Sequence, residues 1–140
     1  MVDTAPSALD RLRALLPPDR VLTDETSLAC ASLDAARFSR LPSAVIRVHE
    51  AGEVGSVLQV ANETLTPVTV RGAGSATTAA ATPVAGGWAL DLSRLAYVEI
   101  DAELGFAHAG PGLTCRALDA AAREFGWFYP PDPSSAAYST

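Results

Sequence analysis

The sequence is poor in basic charge, in cysteine and in long apolar runs, and each shortage removes a class of function. Ten Lys and Arg against sixteen Asp and Glu leave a formal net charge of −6. A chain of that sign offers no basic surface to nucleic acid or to an anionic membrane, so neither is an expected partner. An anionic ligand would have to be held by local backbone dipoles and one or two arginines, against the overall field. Cys30 and Cys115 are the only cysteines and stand in no CxxC or Cys/His spacing, which excludes a structural zinc site on ligand count. Two buried, reduced thiols are expected. No stretch approaches the roughly 20 apolar residues of a membrane span. The N-terminal MVDTAPSALDRLRALLPPDR lacks the basic start and apolar core of a secretory signal. A soluble, cytoplasmic protein is the expectation.

What is present suits a single packed domain: 140 residues, 49% hydrophobic and 19% charged. Ser7 can cap a helix with Leu9, Leu12, Leu15 and Leu16 on one face, ended by Pro17-Pro18. Thr23 or Asp24 can start a second helix through Ala31, followed by an irregular stretch to Pro42. AVIRV (44–48) reads as a buried strand, and Val54, Val57, Leu58 and Ala61 make 50–63 an amphipathic helix. PVTVR (67–71) is the next strand. This strand, helix, strand unit has the length of a right-handed crossover between parallel strands. WALDL (88–92), AYVEID (96–101) and GFAHAG (105–110) read as three short strands, most simply a meander. Thr114 can cap a last helix with Leu118, Ala121, Ala122 and Phe125 on one face, closed by Gly126.

The segment VTVRGAGSATTAAATP, 68–83, joins a strand to a run of residues with almost no side chain. Glycine admits positive φ, and successive turns of that kind aim backbone N–H groups at one point, a concave site for phosphate. Gly72, Gly74 and the run from Ser75 to Ala81 fit that use, with hydroxyl donors at Ser75, Thr77 and Thr78. The loop is neither of two familiar phosphate loops. It lacks the Gly-Lys-Ser/Thr ending of the P-loop, and Thr77 stands where GxGxxG requires glycine. An ordinary surface loop is the plainer alternative.

Five segments in order carry a resemblance: LPSAVIRV, the RGAGS loop, the LDLSRL strand and turn, the PGLT helix entry, and PPDPSS. From about Leu41 to Thr140 the chain resembles the PCMH-type FAD-binding domain of the vanillyl-alcohol oxidase superfamily, most of all its glycolate oxidase subunit and D-lactate dehydrogenase branch. The resemblance implies an α+β fold: the first lobe of that domain, a small mixed sheet with flanking helices; residues 1–40, with the two helices read above, are expected to precede it as an N-terminal helical segment. It implies that Arg71, Gly72, Ala73, Gly74, Ser75, Ala76, Thr77 and Thr78 wrap the FAD pyrophosphate. Ser134, Ser135, Tyr138, Ser139 and Thr140 would lie along the flavin and its ribityl chain. Ser75 stands where relatives with covalently attached flavin have histidine, so noncovalent FAD is implied. The parent enzyme would pass a hydride from a small 2-hydroxy acid to flavin N5, with partner subunits possible.

The chain departs from the family pattern at Ala76, Ala79 and Ala80, where relatives carry glycines, and alanine tolerates positive φ poorly. His49-Glu50-Ala51 also replaces a proline and hydroxyl pattern. The second lobe and the substrate domain are expected to lie beyond residue 140, so the cofactor site of this chain alone would be incomplete and the chain inactive. A noncatalytic interaction or scaffold module that keeps the fold without flavin is the alternative. No catalytic residue and no metal ligand is assigned: His49 and His108 read as surface or satisfied core residues. Asp91, Glu99, Asp101 and Glu103 read as a solvated edge, and Trp127, Phe128 and Tyr129 as core.

Overall fold

A computed structural model describes residues 6–140. Residues 1–5, the start of the stretch read as lacking a secretory signal, lie outside the described residues. Helix α1 (Ala8–Leu15) begins where Ser7 and Asp10 cap each other's backbone amides, and it stops before Pro17. A short 3₁₀ turn (Pro18–Arg20) leads into β1 (Val21–Leu22). Asp24 caps α2 (Glu25–Ala31), accepting from the Ser27 amide at 2.9 Å. Then come β2 (Ala44–Arg47), α3 (Ala51–Glu63), β3 (Val68–Arg71), β4 (Trp88–Asp91), β5 (Val98–Asp101), β6 (Phe106–Ala109) and α4 (Cys115–Arg123), the last capped by Thr114.

The main sheet runs β1-β2-β4-β3, with β1 antiparallel to β2 and the other three strands parallel. The crossover from β2 through α3 to β3 thus skips one position, which β4 fills from the far side of the long loop. The expected three-strand meander is correspondingly divided. WALD joins the parallel sheet, because Trp88, Ala89, Leu90 and Asp91 are all buried and fit between two strands; β5 and β6 remain as a separate antiparallel hairpin. The small mixed sheet with flanking helices otherwise follows the sequence reading.

Each face of the main sheet has its own core. Ala44, Ile46, Trp88 and Leu90 meet Leu12 and Leu16 of the α1 region and Val57, Val60 and Ala61 of α3. Val45 and Ala89 point the other way, against Ala31 and Leu28 of α2. The strand alternation assigns each side chain to one layer. Only Leu12 and Leu16 of the first helical face are fully covered; Leu15 is exposed. In α4 the face reading is likewise only partly realised, since Ala122 is buried but Phe125 is exposed.

Several sequence expectations about individual residues are corrected. Cys30 is exposed and Cys115 only half-buried, because α2 and the start of α4 turn those positions toward the surface; both are free thiols. Trp127 and Phe128 are exposed rather than core: the chain leaves α4 at Gly126 and runs over the outside, where the Trp127 indole donates to the Ala102 carbonyl at 3.1 Å. Asp91 is not a solvated edge residue. As the last residue of the central strand it is buried and paired with Arg47, whereas Glu99, Asp101 and Glu103 are exposed.

Candidate flavin site

The C-terminal ends of the three parallel strands place Arg47, Asp91 and Arg71 side by side in register. Arg47 Nε donates to Asp91 Oδ2 at 3.0 Å, and the Ser93 amide donates to Asp91 Oδ1 at 2.9 Å. Burial favours the protonated carboxyl, but these hydrogen bonds and the guanidinium charge outweigh it and hold Asp91 below the usual aspartate range. The row walls a cleft of about 280 Å³ that also reaches Thr26, Cys30 and Gly72. Ligands of open parallel sheets characteristically bind beyond the carboxyl ends of the strands, which is where the glycine-alanine loop departs.

That loop leaves β3 at Arg71 and belongs to no helix or strand through residue 82. Among residues 72–80, no amide donates to a backbone carbonyl, and Ala73 alone donates to a side chain, Thr140 Oγ1 at 3.2 Å. The amides of Gly72 and of residues 74–78 therefore have no acceptor among the described residues, an arrangement that nearby water or an anionic ligand must satisfy. Two glycines are required by close approach. A Cβ on Gly72 would overlap Thr140 Oγ1 and lie 3.2 Å from the Pro111 carbonyl oxygen. Gly74 has φ +70°, and a Cβ there would collide with Arg71 Nη2.

Arg71 lies beneath the loop with one nitrogen already engaged. Its Nη1 donates to the carbonyls of Ala31 at 2.7 Å and Leu33 at 3.3 Å, while Nη2 faces Gly74. Ala79 adopts the left-handed conformation, φ +61°; Ala76 and Ala80 do not. Of these three alanines, one thus carries the positive φ that glycine would take without strain.

The second predicted segment meets the first. Residues 133–139 turn back on themselves, with the Ala136 amide on the Pro133 carbonyl at 2.8 Å and the Ser139 amide on the Ser135 carbonyl at 2.8 Å. The amides of Cys115 and Arg116, orphan donors at the start of α4, donate to the carbonyls of Ser139 (3.1 Å) and Ala136 (2.9 Å). The helix start thereby fixes the turn against the loop. The hydroxyls of Ser75 and Ser139 lie 3.1 Å apart, and those of Ser139 and Ser135 2.7 Å apart. Gly72, Ala73, Ser75, Ser135, Ser139 and Thr140 are so brought together. Thr77 and Thr78 are exposed on the loop, and Ser134 and Tyr138 are exposed on the turn, with Ser134 lining a separate cleft of about 450 Å³ with Arg116 and Asp119. Sequence reasoning passed over Asp34 and Arg47. Asp34 lies in the stretch read as irregular, yet only 2% of it is exposed. An acidic residue in a sequence as apolar as LACASLDAA was the available signal.

Residues 42–140 match a family described as FAD binding domain. The chain belongs to this family. FAD is accordingly its cofactor, and the free amides and crowded glycines of the 72–78 loop fit a diphosphate of that kind. As an FAD binding domain the chain is 32% identical over 128 residues to D-lactate dehydrogenase of Archaeoglobus fulgidus, covering 91% of this chain and 28% of the relative. It is 33% identical over 111 residues to glycolate oxidase subunit GlcD of Bacillus subtilis, covering 78% and 24%. Its fold matches that of alkyldihydroxyacetonephosphate synthase with a TM-score of 0.86 at 21% identity, over 99% of this chain and 30% of that one. It matches p-cresol methylhydroxylase at 0.79 and 24% identity, over 94% and 27%. The chain spans less than a third of the length of each of these proteins. Among the described residues, no helix is long and apolar enough to cross a membrane, and no group of three or more His, Cys, Asp or Glu is placed to hold a metal ion.

Proposed function

We propose that this chain supplies the N-terminal, pyrophosphate-holding part of an FAD-dependent oxidoreductase that oxidises a small 2-hydroxy acid. The observation that carries the cofactor half of this reading is the loop after Arg71, whose amides at 72 and 74–78 have no acceptor among the described residues. Two negative charges on one diphosphate can be met there by several N–H donors, each charge-assisted bond contributing about 1.5–3 kcal/mol. Residues 41–140 form the first lobe of the cradle, and residues 6–40 brace it through α1 and α2. Ser75, Ser135, Ser139 and Thr140 offer hydroxyls beside the loop, where they orient the ligand, and noncovalent attachment follows from serine at position 75. Bound FAD supplies a two-electron acceptor.

The substrate half rests on the relatives named for D-lactate and glycolate, both 2-hydroxy acids. No side chain of this chain is assigned to proton removal: His49 and His108 are exposed, and His108 packs edge-on against Tyr97 with ring centroids 5.5 Å apart. Substrate activation and tight flavin retention then belong to polypeptide outside these 140 residues, since a half-site leaves much of a dinucleotide in water.

Fluorescence titration of the chain with FAD tests the reading. Saturable binding weaker than micromolar, lost in Gly74→Ala, is expected. No binding at millimolar FAD would favour the noncatalytic module, and undiminished binding by Gly74→Ala would remove the loop from the site. A protein carrying this chain within its full length should, under anaerobic conditions, lose its oxidised-flavin absorbance on addition of D-lactate or glycolate.

A further inference from the structure

One short stretch, residues 31–38, holds both ends of the loop after β3. At the start, Arg71 Nη1 donates to the carbonyls of Ala31 and Leu33. At the far end the Ala81 amide donates to Asp34 Oδ2 at 3.1 Å, and the Thr82 hydroxyl lies 3.5 Å from the Phe38 carbonyl. Asp34 is itself fixed. Its Oδ1 accepts from the Ala36 amide at 2.9 Å, its carbonyl accepts from the Arg37 amide at 3.2 Å, and it is 2% exposed. Between these two holds, residues 72–80 donate no backbone hydrogen bond to a carbonyl among the described residues; the loop is otherwise touched at Ala73 by Thr140, at Ser75 by Ser139, and at the Ala79 carbonyl by the Thr82 amide at 3.2 Å. Two residues before the Asp34 contact, Ala79 is kept at φ +61°. A conformation unfavourable for alanine persists only where the surroundings impose it.

We propose that Asp34 is a positioning residue for the diphosphate loop: its carboxylate, bridging the Ala36 and Ala81 amides, sets the shape of the loop that carries the undonated amides of 72 and 74–78. The inference rests on the reading of that loop as the FAD diphosphate site. A carboxylate suits the task because it accepts at both oxygens. Asparagine of the same shape has one accepting oxygen, and its amide nitrogen would face one of the two N–H donors. A buried acid is costly unless fully hydrogen-bonded, so its place here calls for a role that an apolar residue could not fill.

The test uses the full chain and Asp34→Asn, with Asp34→Ser as the second variant should the first not fold. Near-ultraviolet circular dichroism first confirms native tertiary structure at low temperature. Three readouts follow: amide exchange at Ala81 and Ala36, ¹⁵N order parameters over 72–80 without ligand, and titrations with FAD and with riboflavin. Expected in the variant are at least tenfold faster exchange at Ala81, lower order parameters confined to 72–80, and about tenfold weaker FAD binding with riboflavin binding unaltered. Equal or tighter FAD binding by the variant, or equal losses for FAD and riboflavin, would overturn the proposal. So would failure of both variants to fold, which would assign Asp34 to global stability. If the parent chain binds no FAD, the reading of the loop fails, and the exchange and order parameters still decide whether Asp34 shapes it.

Discussion

Replacing Ala79 with glycine should stabilise the protein, although glycine for alanine usually does the opposite. The native φ of Ala79 is +61°. For a residue with a Cβ, that conformation costs about 1–2 kcal/mol. Glycine removes this strain but gives the unfolded chain more freedom, a loss of about 0.4–1 kcal/mol. The balance is a gain of about 0.5–1 kcal/mol, or about 2–4 °C in Tm for a chain of this length. Ala76 and Ala80 supply the control, since neither has positive φ. Glycine at either should lower stability by about 0.4–1 kcal/mol, because only the unfolded-state effect remains. Thermal unfolding of the three single variants, followed by circular dichroism at 222 nm, gives the answer in one experiment. A Tm that falls in Ala79→Gly as it does in the other two would refute the loop conformation and the argument built on it.

The remaining predictions concern the strand ends, the loop and the core. Asp91 has a depressed pKa in the folded state, so its contribution is present above the ordinary aspartate value near pH 4 and is lost as pH falls through the lower folded value; Asp91→Asn should flatten that acid limb in urea unfolding curves recorded from pH 5 to 2. Gly72→Ala should weaken FAD binding about tenfold, roughly 1.4 kcal/mol, and Thr140→Ala in the same chain should recover part of it, because the added Cβ meets the threonine hydroxyl. Trp88 is 2% exposed at the start of the central strand, so Trp88→Ala should cost about 3–5 kcal/mol in denaturant unfolding. Thr114→Ala should cost about 1 kcal/mol by the same assay through loss of the α4 cap, in which the Ala117 amide donates to Thr114 Oγ1 at 3.2 Å.

Local signals in the sequence were legible because each rests on a few neighbouring residues. Ser7, Asp24 and Thr114 cap the helices that their positions announce, and the proline pair ends α1. The insertion of β4 between β2 and β3 was not legible, since nothing in WALDL separates a meander strand from a central parallel one. The burial of all four residues, visible only once both neighbours are in place, makes that distinction. In the candidate site the loop itself stood out by its lack of side chains. Its supports did not: Asp34 and Arg47 act across 47 and 44 residues of sequence, on the Ala81 amide and on Asp91. The exposure of Trp127 and Phe128 also escaped, because an aromatic cluster after an amphipathic helix reads alike whether it fills a core or covers a surface.

The central claim is that the amides following Arg71 receive the diphosphate of FAD. Amide-resolved ¹H–¹⁵N titration of the chain with FAD, ADP and riboflavin addresses it most directly. The account predicts that FAD and ADP both shift the resonances of Gly72 and residues 74–78, the amides without an acceptor among the described residues, and that riboflavin leaves them in place. Shifts centred elsewhere, or equal responses to riboflavin and ADP, would contradict it.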